Sequence, residues 1–204
     1  MNMTTAGTIR NHIKEIAIGE PFTSIQFNGL GTRASVDQAL SRLVKRGEIV
    51  RVSRGVFVRP KNSRYVGQVM PELSKVAQAI ANAHGETIQV HGAEAARLLG
   101  LTTQMPLQSL FYTSGRNREI KLGKLRLILK HVASRKLALS GRPSGLALSA
   151  LWYLGKEQVS PVTIKAIREK LTPEAFEEFK AETRSMPAWM ADTLHRYEQE
   201  ATRG

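Results

Sequence analysis

Residues 32–60 read T-R-A-S-V-D-Q-A-L-S-R-L-V-K-R-G-E-I-V-R-V-S-R-G-V-F-V-R-P, and this order constrains the chain more than any other stretch. Val36, Ala39, Leu40, Leu43 and Val44 recur at i, i+3, i+4, i+7 and i+8, which is one apolar stripe along an α-helix. Thr32 stands where an N-cap belongs, and Gly47 where a helix ends in the left-handed region. Ile49 to Val52 and Val56 to Arg59 are β-prone runs around the turn Ser53-Arg54-Gly55. Upstream, Thr4 or Thr5 caps a first helix carrying Ile9, Ile13, Ile16 and Ala17, which ends at Gly19 and Pro21. Phe22 and Thr23 start a short second element with Ile25 and Phe27 apolar, and Asn28-Gly29 and Gly31 break it. Helix, short helix, helix and basic hairpin in that order predict a winged helix-turn-helix.

The polar side of the third helix carries Ala34, Ser35, Gln38, Ser41, Arg42 and Lys45. Small residues let a backbone approach a DNA groove, glutamine pairs with adenine, and arginine pairs with guanine. Gln38 and Arg42 are therefore the expected base readers. Thr32, Arg33 and Ser35 lie at the N-terminal end, where recognition helices meet base edges. Arg33 and Lys45, with Arg51, Arg54 and Arg59 from the hairpin, are the expected phosphate or minor-groove contacts. Any solvated helix shows a polar outer face, so the weight rests on the order of elements and not on this helix alone. Asp37 opposes phosphate binding mildly, and the helical wheel puts it on the flank.

Charge supports the same partner. Residues 1–67 hold eleven Lys and Arg against four Asp and Glu, and residues 115–142 hold nine against one. The rest of the chain nearly balances, so two blocks supply the net +13. Clustered cations attract polyanions and release their counterions, which predicts salt-dependent binding. An anionic membrane would use the same charge, but there is no run of about twenty apolar residues and no lipidation or signal motif. With no cysteine, disulfides and thiolate zinc sites are excluded. A reducing, cytoplasmic setting is the expectation.

Pro60 to Gly67 is polar and basic and is expected to be a linker, dividing the chain into residues 1–67 and 68–204. The chain as a whole is expected to be α+β, its second part a mixed α/β domain ending in helices. A helix runs from Pro71 to about Ala83, a strand over Thr87 to His91, and a short helix over Ala93 to Leu99. Strands follow at Leu107–Thr113, Glu119–Leu122 and Leu125–His131. From Ser144 the pattern is helical, with Pro143, Pro161, Pro173 and Pro187 near helix starts. Arg116, Arg118, Lys121, Lys124, Arg126 and Lys130 form a possible second basic surface, or a solvated sheet face. Alternation puts Lys121 opposite Ile120 and Leu122, and Arg126, Ile128 and Lys130 opposite Leu125, Leu127 and Leu129.

Enzyme constellations are sparse. The five histidines show no metal-ligand spacing, and no phosphate loop or nucleophile elbow occurs. His91 and Glu94, with His131 as a possible neighbour, are the only candidates for a nuclease-like site; polar capping by Glu94 in a first helical turn is the plainer reading. No metal and no cofactor is expected. Glu174, Glu177, Glu178 and Glu182 read as a solvated helix face, and Trp152 and Trp189 as core residues.

Three stretches carry a resemblance. G-A-E-A-A-R-L-L-G-L-T-T-Q-M-P at 92–106, F-Y-T-S-G-R at 111–116 and R-L-I-L-K-H at 126–131 resemble the AbiEi-type antitoxins of type IV, abortive-infection toxin–antitoxin systems. The likeness spans roughly residues 8–135 and is weaker from about 145 onward. It implies an N-terminal winged helix-turn-helix and a C-terminal α/β antitoxin domain. It also implies a protein that binds promoter inverted repeats in double-stranded DNA and represses its own operon; dimerisation in solution and cooperative pairing only on the DNA are both left open. The expected functional partner is a nucleotidyltransferase-like toxin, counteracted without a stable complex. The alternatives are a standalone winged-helix regulator with a ligand-sensing or dimerising second domain, and a DNA-processing nuclease.

Overall fold

The computed structural model describes residues 4–63, 67–69 and 71–203. The chain is α+β and falls into two compact units. Residues 1–86 with 119–127 make the first, and residues 87–118 with 128–204 the second.

In the first unit, α1 (Thr5–Glu15) begins on Thr4, whose hydroxyl accepts from the Gly7 N–H at 3.3 Å. Strand β1 (Pro21–Thr23) leads into a single 3-10 turn, Ser24–Phe27, and then α2 (Arg33–Lys45). Strands β2 (Val50–Ser53) and β3 (Val56–Val58) form the hairpin, with Gly55 at φ 72° in its turn. The sequence predicted a two-stranded hairpin; β1 adds a third strand, giving an antiparallel sheet in the order β1-β3-β2. The stripe of α2 buries Val36, Ala39, Leu40 and Leu43 against Ile9, Ile13, Phe22, Phe27, Ile49 and Phe57. Phe22 meets Phe27 edge-on with centroids 5.9 Å apart and stacks on Phe57 at 5.8 Å. Such offset and edge-on pairs add about 0.5–1.5 kcal/mol each beyond the burial of their area.

The expected linker is structured on both sides of residues 64–66, which lie outside the described residues. Strand β4 (Lys61–Ser63) pairs antiparallel with β5 (Gly67–Val69). The first unit then continues through α3 (Leu73–His84), which packs on β1 and β3. The division by contact therefore falls after Glu86, not after Gly67. The physical reason is that α3 buries Val76, Ala77, Ile80 and Ala81, while its Lys75 pairs with Glu20 at 2.7 Å.

Strand β6 (Ile88–Val90) runs into α4 (Gly92–Leu98), and β7 (Ser109–Thr113) follows a loop. Strands β8 (Arg118–Leu122) and β9 (Leu125–His131) complete a sheet in the order β6-β7-β9-β8. Ile120, Leu122, Leu127 and Leu129 are buried, whereas Lys121, Arg126 and Lys130 are exposed, as alternation predicts. Leu125 departs from its expected face and is largely exposed.

The rest of the second unit is helical: α5 (Pro143–Leu154), α6 (Pro161–Lys170), α7 (Pro173–Ala181) and α8 (Ala188–Arg203). Proline opens α5, α6 and α7, where its missing N–H costs nothing. Helix α4 packs on α5, α5 on α7, and α6 on α8, around Leu148, Leu151, Ile164, Ile167, Phe176, Phe179 and Met190. The acidic run of α7 is not simply solvated: Glu178 accepts from both Arg142 and Ser144, tying α7 to the start of α5. Among the described residues no helix is long and apolar enough to cross a membrane.

Gly92 sits where α4 comes closest to α5, and an added Cβ would overlap Tyr153 Cβ and the Ser149 carbonyl oxygen. Alanine normally improves a helix over glycine by about 1 kcal/mol. Here Gly92→Ala is expected to destabilise the protein by about 1–3 kcal/mol, the usual range for overpacking. Urea titration of the two proteins measures both sign and size.

Candidate nucleic-acid interface

A groove of about 430 Å³ opens between α2 and the β2–β3 hairpin, lined by Ser24, Arg33, Asp37, Gln38, Ser41, Arg51, Arg54, Gly55 and Phe57. Two local features build it. Arg33, Asp37 and Ser41 are spaced i, i+4, i+8, so one row of α2 faces the hairpin. The hairpin tip is held by the Ser24 N–H, which donates to the Gly55 carbonyl at 2.9 Å. Arg51 is oriented by its own strand neighbour, its guanidinium carbon lying 5.3 Å from the centre of the Phe57 ring.

Among the described residues, Arg33, Asp37, Gln38, Arg51 and Arg54 have no ion pair and no side-chain hydrogen bond. Three guanidiniums, a carboxylate and a carboxamide thus line one concavity with their hydrogen-bonding groups unspent. That is the chemistry of a surface for a polar, net anionic ligand.

Five of the ten predicted contact residues are brought together here: Arg33, Gln38, Ser41, Arg51 and Arg54. Arg42 and Lys45 are exposed on α2 but lie further round it, outside the groove lining. The other three are used inside the fold. The Thr32 hydroxyl accepts from the Ser35 N–H at 3.2 Å, and the Ser35 hydroxyl donates to the Thr32 carbonyl at 2.7 Å, so both serve as the helix cap. Arg59 turns away from the hairpin and donates to the carbonyls of Lys14 and Ile16 at 2.6 and 3.0 Å. It satisfies acceptors that the end of α1 leaves open. At these three positions the side chains are engaged within the fold and do not join the groove lining.

Ser24, Phe57 and Asp37 belong to the groove without having been predicted there. The one available signal was the spacing of Asp37 from Arg33, which puts the two on one row of the helix.

The second basic block is only partly free. Arg126 pairs with Glu119 at 3.5 Å across the β8–β9 hairpin, and Arg118 is half-buried and engaged. Lys121, Lys124 and Arg126 belong to the first unit, whereas Arg116, Arg118 and Lys130 belong to the second.

The nuclease-like residues each have other partners. His91 is the N-cap of α4, its Nδ1 accepting from the Ala93 N–H at 3.2 Å. Its ring lies 4.8 Å from that of Tyr112 and 5.7 Å from that of Tyr153. Burial, and then the charge of Lys130, hold its pKa below the ordinary 6.5. Glu94 is gripped by Arg97 through two bonds of 2.6 and 2.8 Å, which lowers its pKa. His131 Nδ1 lies 2.7 Å from the Gly115 carbonyl. Among the described residues no group of three His, Asp or Glu is placed to hold a metal ion.

The protein is thus an α+β chain with a basic groove in its first unit. A family model described as a family of unknown function, DUF6088, matches residues 8–179, and the chain belongs to that family. None of the curated proteins matches it. Among solved structures, the crystal structure of the RV2827C protein from Mycobacterium tuberculosis is similar to the chain. The likeness has 12% sequence identity and a TM-score of 0.45 over 93% of this chain and 74% of that one.

Two outcomes follow from these contacts. Arg59→Ala is expected to lower stability by about 1–2 kcal/mol, the loss of charge-assisted bonds at a half-buried helix end; chemical denaturation measures it. For His91, the unfolded chain takes up a proton as the pH falls through 6.5, while the folded chain resists it down to a lower value. Stability therefore declines below pH 6.5 and levels off once the folded-state pKa is passed. The decline in thermal midpoint between pH 7.5 and 5.5 is expected to be smaller in His91→Asn, which keeps a cap and loses the titration.

Proposed function

We propose that the first unit is a winged helix-turn-helix that binds duplex DNA, with α2 as its recognition helix and the β2–β3 hairpin as its wing. The observation that carries this reading is the groove in which Arg33, Gln38, Ser41, Arg51 and Arg54 converge with unspent hydrogen-bonding groups. The 3-10 turn Ser24–Phe27 takes the place of the second helix, and α2 has 13 residues. At about 1.5 Å per residue and 10–12 Å across, such a helix fits a B-form major groove about 12 Å wide. Gln38 and Ser41 are assigned to base edges. Arg33, Arg51 and Arg54 are assigned to phosphate or the minor groove, and Arg42 and Lys45 extend the contact along the outer face of α2.

In this reading the protein is a repressor of its own operon and the antitoxin of a type IV system. It acts on promoter inverted repeats and counters a nucleotidyltransferase-like toxin without a stable complex. The support for this second half is the resemblance of residues 92–106, 111–116 and 126–131 to AbiEi-type antitoxins.

Fluorescence anisotropy with the promoter duplex across a salt series tests the DNA half. Each phosphate contact contributes about −0.9 to the slope of log affinity against log salt. Arg54→Ala is expected to weaken all sequences alike and to flatten that slope by about one contact. Gln38→Ala is expected to lose about 1–3 kcal/mol of discrimination at one base pair. Salt-insensitive binding, or none to any duplex, would overturn the assignment. The antitoxin half is checked by growth rescue on co-expression with a nucleotidyltransferase encoded beside it; failure of rescue removes that half and leaves DNA binding standing.

A further inference from the structure

One of the four charged side chains in the groove has the wrong sign for phosphate. Asp37 lies one turn beyond Arg33 and one turn before Ser41, on the row of α2 that faces Arg51 and Arg54 of the hairpin. It is exposed, and no hydrogen bond or ion pair joins it to any of the three arginines. It is not spent on holding a guanidinium in place, and against a phosphate it would be repelled.

The major groove offers such a group a different partner. A carboxylate only accepts hydrogen bonds, and the only donors on the major-groove edges are the amino groups of cytosine and adenine. Guanine presents two acceptors there, and thymine an acceptor and a methyl group. Adenine places its N7 acceptor beside the amino group, where the second carboxylate oxygen would come to lie. Cytosine presents its N4 amino group with no acceptor beside it on the same base.

Resting on the reading of this groove as a duplex-DNA interface, we propose that Asp37 is a specificity-determining residue that selects cytosine at one position of the bound site. Arg33, Arg51 and Arg54 surround it with positive charge and offset its repulsion from the backbone. An asparagine at position 37 carries a donor beside its acceptor and matches the N6 and N7 edge of adenine instead.

Selection of full-length protein against a randomised duplex pool, for wild type, Asp37→Asn and Asp37→Ala, tests the assignment. Circular dichroism establishes that each variant is folded. Wild type is expected to enrich a site with one position dominated by cytosine. At that position alone, Asp37→Asn moves the preference to adenine and Asp37→Ala removes it, by about tenfold or more in relative affinity. If both variants keep every base preference and bind all duplexes more tightly, Asp37 only tempers the arginines and the proposal is wrong while the DNA reading stands. A changed position that is not cytosine in wild type also overturns it. If wild type enriches no sequence and binds no duplex, the DNA reading itself fails.

Discussion

Phe57 joins the hydrophobic core of the first unit to its charged groove. In the sheet it sits between Phe22 on β1 and Arg51 on β2. Its ring is buried, stacks on Phe22, and lies beneath the Arg51 guanidinium. A cation over an aromatic face gains about 0.5–1 kcal/mol at an exposed site. That is too little to drive folding but enough to bias where a long side chain points. The hairpin is thus fixed to the helices by apolar packing on one side and presents its arginines on the other. The Ser24–Gly55 bond fixes the tip, and the groove follows from these two attachments.

The second unit is held differently. Its helices α5, α6 and α7 start on proline, and α5 is buried along most of its length. Close approach is set by Gly92 against α5, and the polar ties of Glu178 to Arg142 and Ser144 hold α7 to the start of α5. Trp152 is half-buried beside the core, with Arg135 and Lys136 over its ring at 4.9 and 4.7 Å. Two cations of the second basic block are therefore partly occupied by an aromatic face of their own chain.

Much of this was legible in the sequence, and the reasons are local. The apolar stripe from Val36 to Val44 gave α2 almost to the residue, because helical periodicity and a hydroxyl cap are read along the chain itself. The β2–β3 hairpin and the β8–β9 alternation were legible for the same reason. The supposed linker was not, because a polar composition does not reveal that Lys61–Ser63 will pair with Gly67–Val69. Nor was the end of the first unit, since a helix such as α3 shows its apolar face without showing which sheet receives it.

The same division runs through the site. By itself the sequence determined that a capped, basic, amphipathic helix is followed by an arginine-tipped hairpin, because spacing and turn chemistry act over a few residues. Only the tertiary structure decided which cations face outward together. Arg59 lies on the hairpin strand in sequence, yet it closes the end of α1, a partner more than forty positions away. Asp37 belongs to the flank of an isolated helix, but the packing of the hairpin turns that flank into the wall of the groove. Side-chain direction is local, whereas what a side chain faces is set by whichever element packs beside it.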